Sequence, residues 1–288
     1  MMLTKIHENH YYIGVDFGHH TVCMSALDYR SKTPLILDRT GGYGQIYVPA
    51  QMMYLSKEHA WLIGEEASMM RTSQDSVFIE NLLAGLYEKK SYNVEGVPYK
   101  PEKLMAIYIH ELLKHLDHVN PNNIIKGLTI TLPDQMEDKA HELLKEALIM
   151  HFKKMKVGKS KFEIHVITNA EAMLKFLEGY HLVEKKQCYF MDFGHKAFRV
   201  YEVNFGVDIT IKLMAESTIL SGSTLLEKIN KLLSEAYLSH QKKEALEEEE
   251  NRQIQDMCTM YYSYLLKAYQ KKKDLKITYS TFPAEISE

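Results

Sequence analysis

The tetrapeptide Asp-Phe-Gly-His occurs twice in this chain, as Asp16-Phe17-Gly18-His19 and as Asp192-Phe193-Gly194-His195. An apolar, β-prone run leads into each copy, residues 12–15 in one case and 188–191 in the other. A second strand-like run follows each, at 21–27 and 198–203. A strand that reaches a carboxylate and a glycine and then resumes as a strand reads as a hairpin with an Asp at its turn. Two such hairpins at domain-sized separation suggest two related halves facing one cleft.

The remaining pattern separates the halves. Residues 34–38 complete a three-stranded meander with 12–16 and 21–27. Gly41 to Gly44 break the pattern, 47–55 and 60–63 read as further strands, a helix starts near Glu65 and another covers 75–87. Residues 88–100 read as a loop or short hairpin. From Pro101 the period becomes helical: Leu104, Ile107, Tyr108, Leu112 and Leu116 share one face, and Asn120-Pro121-Asn122 ends the helix. Then a strand at 127–132, a helix at 137–153, a strand at 162–167 and a helix at 169–179 alternate. That order implies parallel strands with crossover helices and hence an α/β layer. Past the second tetrapeptide come strands at 198–204 and 208–216, Ser221-Gly222-Ser223 and a helix at 224–238. Charged helical stretches at 241–250 and 252–273 and a strand at 276–279 follow. The expected domains are 1–184, with a core of 11–40 and 101–182 and an inserted subdomain at 41–100, and a partial second lobe at 185–288.

Composition narrows the partners. A net charge of −3 supplies no positive field for nucleic acid or an anionic membrane, and the Lys271-Lys272-Lys273 run reads as a solvated helix face. No apolar run is long enough to span a bilayer, and the N-terminus lacks a signal-peptide core. Cys23, Cys188 and Cys258 are odd in number and far apart, which fits neither a disulfide framework nor a zinc knuckle. A reducing, cytoplasmic setting is expected.

Several segments, taken in order, resemble the nucleotide-binding domain of the Hsp70 family within the actin-like ATPase superfamily. Ile13-Gly14-Val15-Asp16-Phe17-Gly18 is similar to its first phosphate loop and Met191-Asp192-Phe193-Gly194 to its second. Trp61-Leu62-Ile63-Gly64-Glu65-Glu66-Ala67, Ser76-Val77-Phe78 with Leu82-Leu83-Ala84-Gly85, Thr129-Ile130-Thr131-Leu132-Pro133, and Val166-Ile167-Thr168-Asn169-Ala170-Glu171-Ala172 resemble family segments between them. The resemblance implies an actin-like (ribonuclease H-like) fold whose two lobes face a central cleft, the second lobe incomplete.

It also implies a site for ATP or ADP with Mg²⁺. Backbone at Gly18, His19, His20, Gly194, His195, Lys196 and Gly222 would meet phosphate, and Asp16 and Asp192 would hold Mg²⁺ through water. The departures from the family are specific. His19 and His20 stand where it has hydroxyl residues, and His195, Lys196 and Ala197 where it has two glycines and a threonine. The family's catalytic lysine falls on Asn81, its water-orienting glutamate on Asn169, and an aspartate on Arg199. Gln270 and Lys273 are the nearest equivalents of its adenine-contacting residues. No catalytic residue is identified, so the expected function is weak nucleotide binding with impaired hydrolysis, chaperone-related. The alternative is a nucleotide-independent pseudo-ATPase scaffold that holds a protein partner or client. His19, His20 and His195 with the two carboxylates could instead take Zn²⁺ or another transition metal, and Lys196 and Arg199 could help hold an anion.

Overall fold

The computed structural model describes residues 9–28, 34–36, 46–71, 76–119, 123–154, 162–179, 187–205, 209–255, 257–258, 275–279 and 282–286. The protein is mixed α/β and divides into two compact units, Met1–Glu184 and Lys185–Glu288. Among the described residues, no helix is long and apolar enough to cross a membrane.

The first unit is organised by one sheet. Its strands are β1 (Asn9–Phe17), β2 (Thr21–Asp28), β3 (Pro34–Ile36) and β4 (Tyr47–Pro49), joined by two parallel strands further along the chain. With β5 (Met52–Leu55), β6 (Ala60–Ile63), β7 (Ser76–Ile79), β8 (Tyr92–Val94) and β9 (Val97–Tyr99) numbered in between, those later strands are β10 (Asn123–Leu132) and β11 (Glu163–Thr168). The order is β11-β10-β1-β2-β3, with β4 also on β2. β1 runs antiparallel to β2 and parallel to β10. Alternation decides which side chains meet. Ile13, Val15 and Phe17 face the core with Val22, Met24, Ala26, Leu128, Ile130 and Leu132, so Asp16 and Thr131 share the opposite, less buried face.

Helices α1 (Glu65–Met69), α2 (Leu82–Glu88), α3 (Pro101–Val119), α4 (Asp138–Lys154) and α5 (Asn169–Gly179) also belong to this unit. α3 and α4 pack together and bury Leu104, Tyr108, Leu112, Leu144, Leu148 and Phe152 in the same cluster as the sheet. Phe17 meets Tyr108 edge to face, and the Tyr108 hydroxyl donates to the Pro49 carbonyl at 2.8 Å. That pair ties the strand that carries the first tetrapeptide to its main helix.

The inserted region departs from the pattern in two places. The strand expected at 47–55 is two strands in two sheets, because the chain turns at Ala50 and Gln51 between β4 on β2 and β5 on β6 and β7. The helix expected over 75–87 is strand β7 followed by α2. Val77, Phe78 and Ile79 pair across β5, and Asn81, left-handed at φ 58°, starts the helix after them. Long-range pairing has overridden a pattern that admits a helix. Residues 88–100 form the expected hairpin, turned at Glu95 and Gly96, both at positive φ.

The second unit holds an antiparallel sheet in the order β12-β13-β14, made of β12 (Gln187–Phe193), β13 (Phe198–Phe205) and β14 (Ile209–Ser217). α6 (Gly222–Gln241) follows and packs against the hairpin of β15 (Leu275–Tyr279) and β16 (Phe282–Ile286). Leu233 and Tyr237 of α6 pack with Ile254, Met257 and Cys258. The helix expected over 241–250 is interrupted, since Lys242 adopts φ 53° and caps α6 before helix resumes at 248. Gly41 to Gly44, Asn120 to Asn122, and Gln270 with Lys271, Lys272 and Lys273 lie outside the described residues.

Candidate functional site

Both tetrapeptides form the same turn. The Gly18 N–H donates to the Thr21 carbonyl at 3.0 Å, and the Gly194 N–H to the Ala197 carbonyl at 2.9 Å. Each loop therefore closes on the residue three places beyond its glycine, with Asp two places before that glycine. Among the described residues, positive φ falls on neither glycine. Glycine is needed here for lack of bulk: a Cβ at Gly18 would stand 2.7 Å from the Thr21 carbonyl oxygen, and one at Gly194 3.0 Å from that of Ala197.

At the first hairpin, Asp16 is exposed at the end of β1, level with Thr131 on β10, whose hydroxyl donates to its Oδ1 at 2.9 Å. Cys23 lies directly across from Asp16 on β2. Burial first, and then the Asp16 charge, raise the Cys23 thiol above its ordinary pKa. His19 stacks on Tyr87 with ring centroids 5.9 Å apart. The His20 carbonyl accepts from the Ala50 N–H, and burial lowers the His20 pKa, so its imidazole is neutral at pH 7.

The ends of the parallel strands continue this edge. Thr168 and Glu171 form a reciprocal capping box: the Glu171 N–H donates to Thr168 Oγ1 at 3.1 Å, and the Thr168 N–H to Glu171 Oε2 at 2.7 Å. Asp134 Oδ1 accepts from the Ala170 N–H at 2.8 Å. Asn169 is thus the first residue of a capped helix, and Asn81 the left-handed entry to α2. Thr131 and the box were not singled out in the sequence, although the Thr168-x-x-Glu171 spacing is a helix-start signal that could have revealed the latter.

At the second hairpin, Arg199 stands directly across from Asp192 and, on its other side, directly across from Glu216. Its guanidinium lies 3.6 Å from Asp192 Oδ2 and donates to Glu216 Oε1 at 3.1 Å. Arg199 is buried on the same sheet face as Tyr201 and Val203. The start of α6 is bound to this loop: the Gly222 N–H donates to the Gly194 carbonyl at 3.0 Å and the Ser223 N–H to that of His195 at 2.8 Å. Gly222 thereby holds the loop in a tight fit, since a Cβ there would come 3.2 Å from the His195 Cα. Lys196 is exposed in the turn.

The two loops differ in their fit to a divalent cation. Asp16 is held in place by a hydroxyl donor and reaches solvent, as a carboxylate that holds Mg²⁺ through water requires. Asp192 already faces a guanidinium. Among the described residues, no three His, Cys, Asp or Glu side chains gather closely enough to ligate a metal ion directly.

Residues 37–214 match the C-terminal part of a family of unknown function, DUF5716, and the chain belongs to that family. None of the curated proteins matches it.

Proposed function

We propose that this chain is an Hsp70-like nucleotide-binding module of the actin-like fold, chaperone-related and cytoplasmic, which binds ATP or ADP weakly and hydrolyses ATP poorly. The observation that carries the reading is the repeated loop, with the same closing hydrogen bond and an Asp at the same offset in both units. An antiparallel meander that continues into parallel strands with crossover helices supports the fold. The Asp16 loop lies at the carboxyl ends of β1, β10 and β11, the edge where open α/β sheets bind ligands.

In this reading Asp16, oriented by Thr131, holds Mg²⁺ through water, and the Gly18 turn offers backbone to phosphate. Mg²⁺ neutralises phosphate charge when bound. The chain's own residues supply little else for hydrolysis. Asn81 and Asn169 are a helix entry and a helix start, and neither can act as a cationic clamp or a base. Neutral His20 adds no positive charge near pH 7.

Calorimetric titration of MgATP and MgADP, with ATP turnover measured alongside, tests this. Saturable binding that weakens about tenfold or more in Asp16→Asn, with turnover no faster than buffer, is the expected result. Silence toward both nucleotides would sink the reading. It would favour the scaffold instead, for which the specific support is apolar exposure on β12: Tyr189 at 59%, Met191 at 67% and Phe193 at 57%.

A further inference from the structure

The row Asp192–Arg199–Glu216 crosses all three strands of the second sheet, set by register on both sides of β13. A guanidinium in the middle of such a row touches both flanking carboxylates, at 3.6 Å and 3.1 Å. Its side chain is 10% exposed, whereas the carboxylates are 33% and 35% exposed. The cation therefore sits inside and the two anions at the rim. One of its nitrogens also lies 3.9 Å from where a Gly194 Cβ would be, so the guanidinium reaches the loop itself. An arginine guanidinium carries a fixed positive charge.

We propose that Arg199 takes the place of a divalent cation at the second hairpin, so that this loop engages no Mg²⁺ and metal binding by the chain depends on Asp16. This rests on the nucleotide-binding reading for its purpose, though not for its chemistry. A divalent ion approaching Asp192 would meet a fixed positive charge within a few ångströms. It would have to displace a guanidinium that two carboxylates hold. At the first hairpin the residue across from Asp16 is Cys23, which brings no guanidinium to the carboxylate. Removing the Arg199 charge would leave the Asp192 and Glu216 carboxylates at the rim with no cation between them, and such hard oxygen ligands are the kind that Mg²⁺ or Mn²⁺ takes.

Mn²⁺ alone, followed by the loss of its free-ion paramagnetic resonance signal, is the probe. Asp16→Asn should retain no Mn²⁺. Arg199→Gln should bind it about tenfold or more tightly than the wild-type chain, and the gain should vanish in the Arg199→Gln/Asp192→Asn double variant. Two results would overturn the proposal: equal Mn²⁺ binding by wild type and Arg199→Gln, or binding by Asp16→Asn that disappears only when Asp192→Asn is added. The second reading needs no Arg199 variant, so it stands even if that substitution prevents folding. MgADP titration asks the separate question of nucleotide binding, and its failure would leave the Mn²⁺ results to decide on Arg199.

Discussion

Two hairpins with one tetrapeptide have been placed in opposite surroundings. Phe17 is 1% exposed and packs on Tyr108, whereas Phe193 is 57% exposed. Asp16 lies on the less buried face of its sheet with a hydroxyl donor, while Asp192 shares a face with buried Arg199, Tyr201 and Val203. β1 sits between β2 and β10, whereas β12 is paired by β13 at one edge among the described strands. A shared motif thus fixes the turn and its hydrogen bond. What the turn's carboxylate can do depends on the residue across the strand, Cys23 in one unit and Arg199 in the other.

The comparison can be broken most strongly at the glycines. Gly18→Ala meets a backbone oxygen at 2.7 Å in the turn between two interior strands of the main sheet, and Gly194→Ala one at 3.0 Å in the turn of a smaller sheet. We expect Gly18→Ala to cost about 3 kcal/mol and Gly194→Ala about 1 kcal/mol. Denaturant unfolding measures both, with the single tryptophan, Trp61, reporting the first unit. Equal costs would mean that the two turns are equally buried in their sheets. A sharper swap is Cys23→Arg, which sets in the first hairpin the cation that Arg199 gives the second. It should weaken Mn²⁺ and MgADP binding about tenfold, or about 1.4 kcal/mol, and unchanged binding would remove the cross-strand residue as the cause. Thr131→Val takes away the donor to Asp16 and should cost about 1 kcal/mol by the same unfolding assay.

Acid should separate the units by the smallest margin. Burial lowers the His20 pKa, so its folded-state advantage is present above about 6.5 and declines as pH falls below that. In the second unit, hydrogen bonds from Lys243 and Tyr237, then the Glu247 N–H, hold Glu250 down to about 2. That contribution is present above the ordinary carboxylate value and lost only as pH falls toward 2. Amide protection, corrected for the intrinsic pH dependence of exchange, should therefore fall first at residues 18–22 as pH drops below about 6.5, and at 243–250 only below about pH 4.5. The reverse order would contradict both assignments.

The hairpins, the parallel strands and α3 to α6 are legible in the sequence because their patterns hold over many residues. β12 to β14 likewise carry their own alternation. The inserted region is less so: Val77, Phe78 and Ile79 fit a helix or a strand until β5 supplies a partner. The left-handed residues Asn81 and Lys242 end or begin helices without a glycine to announce them. Of the site, Asp16 and the glycines are visible from the repeat. The Thr131 bond and the Asp192–Arg199–Glu216 row depend on strand register, which separate segments fix only once paired.

The most direct test of the phosphate-loop reading is backbone amide exchange at residues 16–21 and 192–197, with and without saturating MgADP. The account predicts slower exchange at residues 16–21, lost in Asp16→Asn. Unchanged exchange at residues 16–21, with nucleotide at millimolar concentration, would contradict it.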